Sequence, residues 1–232
     1  MIKLIRSELQ RCSMKFHVTA LLFANLLIIF LAVMASMVMK NTTQIVPTTL
    51  PSFELQLTTI ELSMMLVRAT LIIWEAVLIG LIVIEEYRSK TITLLYTYPY
   101  NRKKIIAAKL ILICLTMLIF HMFSAILQNI LIKVLSGTIG FVTYTLENVI
   151  SQIIIMIATI CLGLLPLCFG MIRKSVITTI ISSLIIVCIA SSSQGNTAGL
   201  ISTPIMAIVL GAIGLMASAI TVGKMCKEDL SV

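Results

Sequence analysis

Six apolar stretches, each about the roughly 20 residues a helix needs to cross a hydrocarbon core ~30 Å thick, occupy most of this chain. They lie near residues 17–39, 60–84, 105–132, 149–171, 176–190 and 203–222, and what remains between them is too short for a soluble domain. A chain that is 59% hydrophobic and 11% charged cannot cover a soluble surface of this length. The predicted class is therefore an all-α polytopic membrane protein, one domain over 1–232, with six transmembrane helices. In lipid the backbone must satisfy its own hydrogen bonds, and a helix does so within one segment.

The net charge of +8 is arranged as a topology signal rather than as a nucleic-acid footprint. Fourteen of the 17 Lys and Arg fall in the N-terminal segment, the 85–109 run, the 173–174 turn and the C-terminal segment. The intervening loops carry Lys40 and Lys133, and Arg68 lies within a span. Positive-inside weighting places both termini in the cytoplasm, and an even number of spans likewise requires them to share one side. Lys109 and Lys133 are 24 residues apart, about 36 Å of helix. Both ammonium groups are expected to snorkel to opposite interfaces. Residues 1–15 set Ile2, Ile5, Leu9 and Cys12 at helical spacing against Lys3, Arg6, Glu8 and Arg11. They read either as an amphipathic helix in the interface or as a basic tail.

Catalytic and metal signatures are missing. Gly223-Lys224 is the only Gly-Lys pair and residue 218 is Ser, so there is no GxxxxGK[ST] phosphate loop. HExxH, CxxC and GxSxG are also absent. The six cysteines have no metal-ligand spacing and read as small buried hydrophobes. No enzyme, no metal site and no nucleic-acid partner is expected.

Two features within the spans carry polar chemistry, and two more bear on how the helices pack. Glu61, Arg68 and Glu75 recur every seven residues and share one helix face. Charges at such depth must face protein or water. They read as an interhelical ion pair that fixes packing, as a polar translocation path, or as a proton-sensitive group at Glu75. His121 and Gln128 share a face of span three with Asn129 beside them, either as interhelical glue or as part of that path. Span six holds the small-xxx-small pairs Ala207/Gly211, Gly214/Ser218 and Ala219/Gly223, which permit close helix approach. Pro166 predicts a kink in span four.

The charged run from Glu85 to Lys109 is the densest polar segment. Thr91 to Tyr98 can form a short helix anchored by Ile92, Leu94 and Leu95, with Pro99 as its stop. Four of the five tyrosines sit here, at 87, 96, 98 and 100. They suit either a protein interface or the membrane boundary.

Glu86-Tyr87-Arg88-Ser89-Lys90-Thr91, then Leu94-Leu95, Pro99, Asn101-Arg102 and Lys109 resemble the signature of type-2 ABC-transporter permeases. That pattern often places glycine before the threonine, where this chain has Lys90. The resemblance implies that 85–104 is a cytoplasmic coupling helix docking on a separate ATPase. Glu85, Glu86, Arg88, Thr91, Leu94 and Arg102 would make or support that contact. It implies an assembly of two permease chains, identical or homologous, with two ATPase copies that bind ATP and magnesium; this chain would bind no cofactor itself. It further implies a bacterial cell-membrane exporter, similar to those for antimicrobial-peptide self-protection and for phenol-soluble modulins. Glu61, Arg68, Glu75, His121 and Gln128 would be path candidates for an amphipathic peptide. Export of lipids or drugs is the nearest rival, and an ion-coupled carrier working through Glu75, Arg68 and His121 the next.

Overall fold

A computed structural model describes residues 14–43, 58–88, 102–140, 142–145, 148–192 and 199–228, and every regular element among them is helical. The elements are α1 (Met14–Thr43), α2 (Thr59–Ile79), a π turn (Gly80–Ile84) leading into α3 (Glu85–Arg88), α4 (Arg102–Thr138), α5 (Val149–Gly163), α6 (Pro166–Arg173), α7 (Val176–Ala190), a 3-10 turn (Leu200–Ser202) and α8 (Pro204–Glu228).

Among the described residues, five helical stretches are long and apolar enough to cross a membrane: Phe16–Lys40, Thr59–Arg88, Ile106–Thr138, Val149–Arg173 and Pro204–Met225. They fall on five of the six expected spans. The fifth expected span is α7, a shorter apolar helix of 15 residues.

Local chemistry explains the boundaries. Thr58 and Glu61 form a reciprocal capping box at the start of α2, with Glu61 N–H to Thr58 Oγ1 at 3.4 Å and Thr58 N–H to Glu61 Oε2 at 3.0 Å. Helix α5 ends just before Pro166, whose ring nitrogen has no hydrogen to donate to Leu162. Leu165 N–H takes that carbonyl instead at 3.0 Å, and Pro166 becomes the first residue of α6. The expected break in span four is thus present. Lys174 caps α6 in the left-handed conformation, φ 47°, and the chain reverses into α7.

Helix α2 is the hub and the most buried of the spans, whereas α1 and α8 turn most of their surface outward. Leu71, Ile79, Ile113, Met117 and Leu167 bring α2, α4 and α6 into one apolar core. Helices α5 and α8 approach each other closely. A Cβ added at Gly211 would lie 3.0 Å from Ala158 Cα, and one at Gly214 would lie 2.8 Å from Leu162 Cα. Ala207 and Ser218, the outer members of those two small-residue pairs, are buried as well. The third pair behaves differently, since Gly223 has nothing within 4 Å.

Residues 1–13 and 89–101 lie outside the described set. The interfacial helix and the centre of the coupling segment, with Thr91 and Leu94, therefore fall there.

Candidate functional site

Polar side chains inside the bundle fall into two groups, one among the helix interiors and one where α2 runs into α3 beside α4. In the first group, Asn25 on α1 meets α4. Its Nδ2 donates to Ser124 Oγ and to Leu21 O, each at 2.9 Å, and its Oδ1 accepts from Gln128 Nε2 at 3.2 Å. Gln128 also donates to Asn25 O at 3.3 Å, so this residue ties α4 to α1. Asn129, one position on, donates to Ala125 O at 2.8 Å and accepts from Tyr144 at 3.4 Å. Buried amides between helices are ordinary interhelical glue, and the bonds from Gln128 to Asn25 join α4 to α1 in that way.

The heptad-spaced charges of α2 diverge. Glu61 caps its own helix. Arg68 is 9% exposed and donates to Ser202 Oγ at 3.1 Å, joining α2 to the turn that precedes α8. Glu75 is completely buried, and neither carboxylate oxygen has a hydrogen-bond partner among the described residues. Its carboxyl rests against Gly163 of α5, in the space a Cβ there would fill. Glu75 and Arg68 do not pair, because the π-free helix carries them two turns apart and each meets a different neighbour. Trp74, adjacent to Glu75, donates its indole N–H to His17 Nδ1 of α1 at 3.3 Å, with the rings edge to face at 5.9 Å.

His121 is 5% exposed, and its Nε2 has no partner among the described residues. It lines a cavity of about 350 Å3 with Arg68, Asn129 and Gln152, between α2, α4 and α5. Of the five expected path residues, Arg68 and His121 therefore share one cavity. Glu61, Glu75 and Gln128 are held elsewhere.

The second group ties the two ends of the charged run together. Lys109 on α4 pairs with Glu86 on α3, and its Nζ also approaches Ile82 O at 3.4 Å. Ile82 belongs to the π turn, whose wider ring leaves carbonyls less well matched to intrahelical donors. Lys109 is 5% exposed, so its ammonium is engaged between helices and does not snorkel as spacing suggested. Lys133, by contrast, is exposed. Glu85 and Arg88 stand outward on α3 and approach each other at 3.8 Å. Arg102 opens α4.

A family model described as "ABC-2 family transporter protein" matches residues 4–191. The chain belongs to the ABC-2 transporter family. A Bacillus subtilis (strain 168) relative named "Uncharacterized protein YcbO" is 33% identical over 239 residues, covering 98% of this chain and 100% of its own length. No solved structure matches. As an ABC-2 protein the chain is the membrane permease subunit of an ABC transporter, multi-pass, with the ATPase carried by a separate chain. The missing phosphate loop agrees with that division of labour.

Asn25, Trp74 with His17, Gly163 and Ser202 escaped the sequence reading. Each is an ordinary residue in an apolar helix or loop until a neighbouring element supplies its partner. Asn25, a lone amide in a span, carried the one usable signal.

Proposed function

We propose that this ABC-2 permease subunit belongs to an ATP-driven exporter that moves hydrophobic or amphipathic peptides out of a bacterial cell. Two permease chains span the membrane, with both termini in the cytoplasm, and two ATPase copies bind ATP and magnesium below them. Six crossings follow if α7 is counted. Its 15 residues rise about 22 Å, and local thinning of the bilayer takes up the shortfall.

The observation that supports this reading most is the Glu86–Lys109 pair, which joins the two helices flanking residues 89–101. A segment that transmits force from a docked ATPase needs rigid roots, and this pair supplies them. Glu86 then acts as support, while Glu85 and Arg88, exposed on α3, face the partner. Thr91 and Leu94 lie in the docking segment itself, and Arg102 at its return. The apolar interior with isolated polar groups suits an amphipathic cargo. Arg68 and His121 are the path residues this reading keeps, with Glu61, Glu75 and Gln128 assigned to helix packing.

Co-purification of the tagged chain from native membranes tests the proposal. The wild type should bring down an ATPase, and Leu94→Asp/Arg102→Glu should lose it while staying folded. Peptide-stimulated hydrolysis by the wild-type complex would establish the cargo. A chain that elutes without any ATPase would defeat the assignment of the coupling segment.

A further inference from the structure

Three exposed cations, Arg173, Lys174 and Lys224, have no acidic partner among the described residues. Packing puts them at one end of the bundle. A Cβ added at Gly80 would touch Val176, and one at Gly170 would touch Ile84. The turn from α6 into α7 therefore lies against the π turn, where α2 becomes α3. Helices α5 and α8 run parallel, with Ala158 beside Gly211 and Leu162 beside Gly214. Carried along α6, which also packs on α8, that register sets Lys224 level with Met171 and Ile172, just before Arg173. Beside Lys224, Gly223 leaves open space, with nothing within 4 Å of a Cβ placed there.

The surroundings of these cations select their partner. Only Lys174 and Ser175 connect α6 to α7, so the charges stay at the helix ends and do not project toward a soluble protein. Arg173 closes a stretch long and apolar enough to cross a membrane, which holds them at headgroup depth. Directly below them the surface is hydrocarbon. Ile172 and Ile177, on either side of the turn, are 75% and 69% exposed, and Met216 and Ile220 of α8 also face outward. A phospholipid with an anionic head meets both parts, phosphate oxygens on the cations and acyl chains along the isoleucines. A free phosphate or an acidic protein would use the charges and leave the apolar side chains bare.

We propose that Arg173, Lys174 and Lys224 form a binding site for one anionic phospholipid, with its chains lying against Ile172, Ile177 and Ile220. The site needs neither the ATPase nor the peptide cargo, and it is the same whichever face of the membrane this end meets. It therefore stands or falls apart from the export reading.

Titration of the purified full-length chain in nonionic detergent with dioleoylphosphatidylglycerol or dioleoylphosphatidylcholine, read as bound lipid by native mass spectrometry, tests it. The first lipid should bind about tenfold or more tighter as phosphatidylglycerol, since each cation near an anionic head is worth about fivefold. Arg173→Gln/Lys174→Gln/Lys224→Gln should lose that preference. Lys40→Gln/Lys133→Gln, which removes exposed cations of the opposite end, should keep it. Should the triple variant fail to insert, Arg173→Gln and Lys224→Gln decide singly, each weakening phosphatidylglycerol binding about fivefold. Equal binding of the two lipids by the wild type would overturn the proposal, as would an equal loss of preference in the Lys40/Lys133 variant. Displacement of the lipid by glycerol 3-phosphate would overturn it in favour of a free phosphate site. A triple variant that keeps its lipid preference and no longer brings down the ATPase would overturn it in favour of a protein contact.

Discussion

Replacing Lys109 by Met keeps most of the side-chain length and removes the ammonium from beside Glu86. The pair is enclosed, with Lys109 5% and Glu86 15% exposed, and the same ammonium reaches Ile82 O of the π turn at 3.4 Å. Removing one partner of a buried pair costs about 3–5 kcal/mol. Partial exposure of Glu86 places Lys109→Met near the bottom of that range, about 3 kcal/mol. The reasoning makes a second, sharper demand. Replacing both residues by Met removes the stranded charge together with its partner, and buried pairs exchanged for apolar groups are close to neutral. The double variant should therefore lie within about 1 kcal/mol of wild type, with a coupling energy of roughly 2 kcal/mol or more. Unfolding in mixed micelles of increasing anionic detergent, followed by loss of helical signal, measures all four corners of the cycle. Additive single-variant costs would refute the reading, because they would mean the two charges do not sense each other. ATPase co-purification on the same variants separates stability from coupling. The double variant should be stable and yet couple poorly if a charged root matters to the partner.

Gly214→Ala should destabilise the chain by about 1–3 kcal/mol, the usual range for overpacking, because its Cβ meets backbone of α5 that cannot step aside. Gly223→Ala on the same helix meets nothing within 4 Å and should stabilise by up to about 1 kcal/mol through helix propensity alone. The two are compared in one thermal unfolding series. Gly163→Ala should be destabilising in the wild type and cost less than about 1 kcal/mol in a Glu75→Ala background, since the Glu75 carboxyl occupies the space of the new methyl. Equal costs in both backgrounds, again from unfolding curves, would place the carboxyl elsewhere.

The long apolar helices and their rough limits were legible from sequence because lipid leaves the backbone almost no alternative. The break before Pro166 followed from a missing N–H, and the close seam along α8 from Gly211 and Gly214, where a backbone can approach without a Cβ between. The motif between Glu86 and Lys109 carried the family, which the match over residues 4–191 bears out.

Partners were not legible. Periodicity put Glu61, Arg68 and Glu75 on one face, yet each found a different neighbour: its own N-cap, Ser202 and Gly163. Lys109 looked like an interfacial anchor until α3 brought Glu86 to it, and Gln128 needed Asn25, 103 residues away. In a soluble helix the apolar stripe marks the inward side. Here lipid-facing and protein-facing surfaces are both apolar, so the pattern that would set each helix's rotation is nearly erased. What the sequence alone determined was which segments are helices and where their charges accumulate. Which charge meets which partner, and the cavity at Arg68 and His121, came only from the rotation and packing of helices against one another.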